Sequence, residues 1–423
     1  MPSADPSLVL TFEDARHLVE EHAKRLRPKG RELLALLDAS GRVLAEPIHA
    51  DRDFPPFPRA TRDGYALRTV DVQNVPAQLE VVAEVRAGSA LEGVPPLQPG
   101  QAIAIMTGAP VPSGADAVLM IEHSSRSQNR IEVKRSIAAG ENVVPARAEG
   151  RRGDVLLPSG TRLDYACIAV AAAVGRSRVV VYAKPKVAVL STGDEIVDVD
   201  VPPNPSQIRN SNTYSLAAQV HAVGGEAVLL PIAPDEPVRL RELLAEALEC
   251  DLVLVAGGVS MGKYDLVEQE LAALKAEFFF TGAKIQPGKP IVFGRVPCSR
   301  DASAQESDQV QSKYFFGLPG NPVSTMVTFE LFVKPLVQAL AGTHPQPLIF
   351  LSAKLTKSIQ TKTGLKRFLP AQLSGEFENA TVELIAWQGS GDIASVARSN
   401  CFVVIPPDRE RIEAGELVPV LLR

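Results

Sequence analysis

The chain has 423 residues, more than one compact core usually holds, which points to several domains or subdomains. Apolar residues at 45% and charged residues at 22% are ordinary globular usage and exclude global disorder, collagen-like repeats and a charge-rich coiled coil. With 44 Lys and Arg against 49 Asp and Glu, the net charge of −5 excludes binding of nucleic acid or of an anionic membrane by bulk charge, so any anion must meet a local site.

The N-terminus carries both charge signs and no apolar core ahead of a cleavage site, so it does not read as a signal peptide. Residues 11–26 have the pattern of an amphipathic helix: Thr11 caps with Asp14, and Ala15, Leu18, Val19, Ala23 and Leu26 share one face. From Ala45 to Val144 short apolar alternations broken by Gly and Pro predict a β module, a small barrel or sandwich, placed at 51–144. Residues 153–182 hold a further strand and an alanine-rich helix. They are expected to join residues 1–50 as a discontinuous N-terminal domain (1–50 and 145–182). The apolar run Tyr165–Gly175 in this region falls short of the ~20 residues a membrane-spanning helix needs, and a soluble, cytoplasmic protein with no membrane partner is expected.

From Lys184 the pattern alternates regularly. Strands are expected at 186–191, 227–232, 251–256 and 314–318, and helices from Ser211 or Asn212 to Gly224, over 236–249, 265–275 and 323–340. That alternation predicts a doubly wound, mainly parallel α/β sheet over 183–343. The polar, aperiodic stretch 297–313 reads as a mobile insertion. After Pro345 short strands resume without a helix signal, giving a C-terminal β domain over 344–423. The four cysteines, Cys167, Cys250, Cys298 and Cys401, are scattered singly with no His at ligand spacing and read as buried thiols rather than a zinc site or disulfides.

Ligands of open α/β sheets bind beyond the carboxyl ends of the strands. The loops expected there are Ser191-Thr192-Gly193-Asp194-Glu195, Pro234-Asp235-Glu236, Gly257-Gly258-Val259-Ser260-Met261-Gly262 with Asp265 just beyond, Gln286-Pro287-Gly288-Lys289-Pro290 and Gly317-Leu318-Pro319-Gly320-Asn321-Pro322. Glycines let backbone N–H groups approach an anion, hydroxyls donate to phosphate oxygens, and a carboxylate beside a phosphate calls for a hard cation such as Mg²⁺ between them. Each loop alone has a plain structural reading: turn glycines, helix N-caps at Asp194 or Asp235, a solvated surface charge at Lys289. Their coincidence on one sheet edge predicts a nucleotide or phosphate site with a metal.

STGDE, AGGVSMGKYD, IQPGKPIVFG and GLPGNPVS, together with DGYA (63–66) and IMTGAPVP (105–112), resemble the MoeA family of molybdopterin molybdenumtransferases, also found as the gephyrin E domain. The resemblance runs from about residue 10 to 420. It implies an elongated multidomain α/β plus β chain and a homodimer with an active site shared between subunits. The implied reaction takes adenylylated molybdopterin and molybdate as substrates, is assisted by Mg²⁺, and releases AMP and molybdenum cofactor. Molybdopterin adenylyltransferase and molybdoenzyme-maturation proteins are then its expected partners.

By resemblance, Glu195, Asp235 and Asp265 hold the metal and act in catalysis with Lys289, Asp63 and Thr107, the last two reaching in from the β module of the partner subunit. Thr192, Gly193, Asp194, Gly257, Gly258, Ser260, Pro319, Asn321, Pro322, Arg367 and Ser390 bind substrate. Without the family, Asp63 and Thr107 would read as turn residues. The chain departs from the family pattern at Pro58-Arg59-Ala60-Thr61-Arg62, which adds two positive charges, and at Val144-Pro145-Ala146-Arg147-Ala148-Glu149-Gly150, where an arginine run is usual and Arg147, Arg151 or Arg152 must supply any basic contact. Gln286 replaces a lysine of some relatives. Two alternatives remain: a molybdopterin adenylyltransferase, which is built on a domain like 184–340 alone, and a non-catalytic molybdopterin-binding scaffold.

Overall fold

The computed structural model describes residues 8–258, 266–297 and 312–423. Ser260 and Asp265, and most of the 297–313 stretch with Cys298, therefore lie outside the described residues. The chain divides into two compact units, one of residues 34–40 and 46–179, the other of residues 1–33, 41–45 and 180–423.

In the larger unit, helix α1 (Phe12–Ala23) begins where Thr11 Oγ1 accepts from the Asp14 N–H at 3.1 Å, as the sequence predicts. The smaller unit is built around a mixed six-stranded sheet of β1 (Gly64–Leu67), β2 (Ala77–Val85), β3 (Gln101–Ile105), β4 (Ala117–Met120), β5 (Ser124–Ser127) and β6 (Arg130–Val133), in the order β4-β1-β3-β2-β6-β5. Tyr65, Leu67 and Leu119 feed one apolar cluster while Ala66, Ile103 and Val118 feed another, so alternate residues line opposite faces of one sheet. It is a single two-faced sheet rather than a barrel or a two-sheet sandwich. The chain enters and leaves it side by side, since Ile48–His49 runs antiparallel to Val155–Leu157 and Arg59–Ala60 to Val143–Val144. Helix α2 (Tyr165–Ala173) is almost wholly apolar, yet Ala171 is its one buried residue.

The larger unit continues with β7 (Lys186–Ser191), α3 (Ser211–Ala222), β8 (Glu226–Leu229), α4 (Pro237–Ala247), β9 (Leu252–Ala256), α5 (Leu266–Ala273), β10 (Glu277–Phe280), β11 (Val292–Pro297), β12 (Ser312–Leu318), α6 (Pro322–Thr328) and α7 (Lys334–Leu340). The sheet order is β8-β7-β9-β12-β11-β10, with the first four strands parallel, β11 antiparallel to β12, and the edge strand β10, antiparallel to β11, running the same way as the first four. Val187, Val189, Leu252 and Leu254 pack with α1, α3, α6 and α7, while Ala188, Leu190, Val253 and Val255 pack with α4 and α5, which is the double winding read from the sequence.

A π-helical turn at Phe329–Val333 joins α6 to α7. The resulting run Pro322–Leu340 has the length and apolarity of a membrane span by composition, but most of it is buried in this core. Pro335 has no N–H to offer the carbonyl of Leu331, four residues back. Arg16, buried on α1, donates from Nη1 to that carbonyl and from Nε to Glu20 Oε1 at 2.6 Å. Arg16→Met should therefore cost about 2–3 kcal/mol in urea unfolding, because it leaves a buried carbonyl and Glu20 unpaired. Adding Pro335→Ala, which restores an N–H, should recover part of the loss; no recovery would show that packing alone sets the cost.

His22 stacks on Phe279 at 4.1 Å, and its Nδ1 is 3.0 Å from the Tyr314 hydroxyl. Burial, then the positive charges of Arg25 and Arg295, hold its pKa below the ordinary 6.5, while Glu277 and Glu21 pull the other way. The unfolded chain thus binds this proton first as pH falls below about 6.5, and stability is lost from there down to the lowered folded pKa. Between pH 7.5 and 5 the melting temperature of the wild type should fall further than that of His22→Asn. Parallel pH profiles would contradict this.

The last segment forms β13 (Phe350–Leu355), β14 (Lys366–Ser374), β15 (Thr381–Leu384), α8 (Ile393–Arg398), β16 (Cys401–Ile405) and β17 (Leu417–Leu422). The pairings β14-β15-β13-β17-β16, closed by β16–β14, make a five-stranded barrel filled by Ala353, Leu355, Ala371, Val382, Val403 and Val420. The expectation of no helix here is corrected by α8, a short helix that starts because Asp392 accepts from the Ser395 N–H at 3.1 Å. Of the described cysteines, Cys250 and Cys401 are buried and Cys167 is half-buried; burial pushes the Cys401 thiol up to about 11.

Candidate active site

The parallel strands of the larger unit deliver their loops to one carboxyl edge. Beyond β7, Thr192 donates from its N–H to Ala256 O at 3.1 Å and from Oγ1 to Asp235 Oδ1 at 3.3 Å. Asp194 Oδ1 accepts from the Asp235 N–H at 3.1 Å, so the first two predicted loops are tied carboxylate to backbone. Gly193 has φ +138, and a Cβ there would stand 2.4 Å from Glu195 Oε2, which shows Glu195 folded back over its own loop. Gly257 (φ +96) donates to Leu318 O at 3.1 Å, and a Cβ on it would meet Thr192 O at 2.6 Å. These glycines let three backbones converge where side chains would not fit. Asp194, Glu195 and Asp235 face solvent.

The loop after β12 is braced from below. Thr325 Oγ1 donates to Pro319 O, and Asn212 Nδ2 donates to Gly320 O at 2.7 Å. Pro322 opens α6 after Asn321, and the Val323 N–H donates to the carbonyl of Ser390 at 3.0 Å, which brings the 388–391 turn of the C-terminal domain to this edge. Gln286–Lys289 follows β10, which runs in the same direction as the four parallel strands because it is antiparallel to β11 and β11 is antiparallel to β12, so the chain leaves it at the same carboxyl edge, as expected. At its start, Ile285–Gln286 pairs in parallel with Lys366–Arg367 of β14. Gly288 lies against α6, where a Cβ would meet Thr328 Cγ2 at 2.5 Å. Lys289 is exposed.

Arg367, paired in register with Gln286, is buried, and its guanidinium donates to Leu365 O at 3.0 Å. Among the described residues no carboxylate neutralises it, and burial lowers its pKa. A buried cation of this kind favours an anionic ligand. A layer missed by the sequence reading lies underneath: Asn210 caps α3, and Ser191 Oγ, Thr213 Oγ1 and Asn210 form a buried hydrogen-bonded cluster of 2.8–3.2 Å contacts. The paired asparagines of RNSN were its only trace in sequence.

Among the described residues no trio of His, Cys, Asp or Glu is arranged as a metal site. Asp194 and Asp235 are neighbours, Glu195 is in the same loop, and Asp265 is outside the described residues, so two of the three predicted ligands are seen on this edge. All are hard oxygen donors, which suits Mg²⁺.

In the smaller unit Asp63 Oδ1 accepts from the Thr107 N–H at 2.6 Å and from Thr107 Oγ1 at 2.8 Å. The two residues singled out in separate motifs are thus one hydrogen-bonded pair, and the backbone and then the hydroxyl of Thr107 hold the Asp63 carboxyl below the usual carboxylate range. Gly64 of the same motif is required by close approach, since a Cβ would stand 1.8 Å from Leu119 O. Arg59 joins the two atypical segments, its Nη2 pairing with Glu149 Oε1 at 2.9 Å, while Arg147 Nε pairs with Asp53 Oδ2 at 2.7 Å. Of the two positive charges added at 58–62, that of Arg59 is neutralised locally and Arg62 is exposed; Arg147 is likewise taken up, and Arg151 and Arg152 are exposed.

Three stretches of the chain match family descriptions: residues 10–175 the MoeA N-terminal region (domain I and II), 188–339 a probable molybdopterin binding domain, and 352–422 the MoeA C-terminal region (domain IV). The chain belongs to the MoeA family. A relative from a Nostoc species, named molybdopterin molybdenumtransferase, is 36% identical over 402 residues, covering 92% of this chain and 88% of its own. One of the same name from Staphylococcus epidermidis is 32% identical over 416 residues, covering 96% and 95%. The MoeA fold itself is seen in the crystal structure of the molybdopterin biosynthesis moeA protein from Pyrococcus horikoshii OT3, which superposes with a TM-score of 0.75 at 31% identity, covering 98% of this chain and 100% of that one.

Proposed function

We propose that this MoeA chain is a molybdopterin molybdenumtransferase of molybdenum cofactor biosynthesis, taking adenylylated molybdopterin and molybdate and releasing AMP and molybdenum cofactor. The observation that carries the reading is the match to transferases of that name along nearly the whole chain, with the site loops of those motifs gathered on one sheet edge. A molybdopterin adenylyltransferase would leave the smaller unit and the C-terminal barrel without a role.

In this reading the loops at Thr192–Glu195, Gly257–Gly258 and Pro319–Pro322, with Ser260, seat the nucleotide and phosphates. Glu195, Asp235 and Asp265 would hold Mg²⁺, which when bound offsets phosphate charge. Arg367, Lys289 and the Ser390 turn bind molybdate: the buried guanidinium supplies a fixed cation, and the backbone link from Ser390 to α6 fixes its distance from the phosphate loops. Asp63, kept ionised by Thr107, comes from the partner subunit of a homodimer. The exposed apolar face of α2 supports such a second copy, since unburied apolar surface marks association. We assign four domains at 1–50 with 145–182, 51–144, 183–343 and 344–423, a cytoplasmic location, and the adenylyltransferase and maturation proteins as donors and acceptors.

The test is to incubate the protein with adenylylated molybdopterin, molybdate and Mg²⁺ and to quantify AMP. Stoichiometric AMP is expected; tight binding of the substrate without AMP release would favour the scaffold.

A further inference from the structure

The turn of residues 388–391 reaches the site edge from the C-terminal barrel, and its glycines are not held by packing. Gly389 has φ +108, where glycine is favoured, and a Cβ on Gly389 or on Gly391 would meet nothing within 4 Å, so the space beside both is open. Trp387, just before the turn, packs against both the core that holds α6 and α7 and the barrel core. Ser390 is half-buried, and among the described residues its hydroxyl makes no hydrogen bond.

Asp392 closes the turn. Its Oδ2 accepts from the Gln388 N–H at 3.1 Å and its Oδ1 from the Ser395 N–H at 3.1 Å, while its own N–H donates to Gly389 O at 3.0 Å. One carboxylate thus ties the residue that opens the turn to the first turn of α8, and between them the Ser390 carbonyl accepts from the Val323 N–H of α6. Capping α8 takes only one of the two oxygens. The second bond, back to Gln388, adds nothing to the helix and fixes the turn. A carboxylate at the edge of an anion site opposes the anion by charge, so any benefit of Asp392 to anion binding has to be geometric.

We infer that Asp392 is a positioning residue of this site: by tying Gln388 to the start of α8 it holds Ser390 where the hydroxyl meets a molybdate oxygen. The inference rests on the proposed function, which assigns the Ser390 turn to molybdate, and Asp392 acts through that turn without touching the substrate.

Calorimetric titration of the intact protein with molybdate tests this in Asp392→Asn, Ser390→Ala and the double variant. Asparagine caps a helix as well as aspartate does, so α8 and the melting temperature should be kept, but its amide nitrogen would face one of the two N–H donors. The dissociation constant for molybdate should rise about tenfold in Asp392→Asn even though a negative charge has been removed, and Ser390→Ala, which loses a hydrogen bond to the anion, should cost a similar factor. The double variant should bind no more weakly than the weaker single variant, because a residue that acts through Ser390 has nothing left to position. Unchanged or tighter binding in Asp392→Asn, or factors that multiply in the double variant, overturns the inference and leaves the proposed function standing. Hydrogen exchange on the unaltered protein needs no variant to fold: the Gln388 amide should be protected, and exchange as fast as in an unstructured chain overturns the inference as well. No molybdate binding by the unaltered protein also overturns it, and AMP release then decides the proposed function separately.

Discussion

Asp63→Ala and Asp235→Ala are each expected to lose AMP release by at least about a hundredfold as homodimers, and a mixture that exchanges subunits is expected to recover activity. The reasoning starts from where the two residues lie. Asp235 is tied to Thr192 on the sheet edge of the larger unit, while Asp63 is held by Thr107 in the smaller one. If each active site combines the larger unit of one subunit with the smaller unit of the other, a heterodimer holds one site with both defects and one with neither. Random exchange of an equal mixture makes about half the dimers mixed, so about a quarter of wild-type activity should return. Mixing that restores nothing, under conditions shown by mass spectrometry to exchange subunits, would place the whole site within one chain.

Glu195→Gln and Asp235→Asn carry the second large effect. Both carboxylates are exposed, so neither change should disturb the core, and the melting temperature should move by no more than about 2 °C. Each removes a negative oxygen donor from the proposed Mg²⁺ site. AMP release should fall by about a hundredfold or more, with the Mg²⁺ concentration for half-activity raised. Activity equal to wild type at limiting Mg²⁺ would remove these residues from the metal site.

How far this site could be read in advance depends on the range of the interactions that build it. KVAVLS and DLVLVA are legible as strands because both faces are buried, and Thr11 with Asp14 is a cap readable within one turn. The glycines at 193 and 257 also betray themselves locally, since close backbone approach tolerates little else. The β10–β11 hairpin is hidden because consecutive phenylalanines at 278–280 obscure any alternation, and α8 because six residues carry no period. What sequence cannot show is pairing at a distance. Asp63 with Thr107, Arg59 with Glu149 and Arg16 with Leu331 are separated by 44, 90 and 315 residues. The resemblance put Asp63 and Thr107 in one site, but only the fold makes them hydrogen-bond partners. It also joins the two atypical segments through Arg59 and Glu149, so that the added charge at 59 serves the smaller unit's own structure.

The measurement that bears most directly on the central claim is the dependence of AMP release on molybdate, with adenylylated molybdopterin and Mg²⁺ held constant. A molybdenumtransferase predicts that AMP appears together with molybdenum-loaded cofactor, in equal amounts, and that its rate rises with molybdate to saturation. AMP release indifferent to molybdate, or formation of adenylylated molybdopterin from ATP in place of its consumption, would contradict the account.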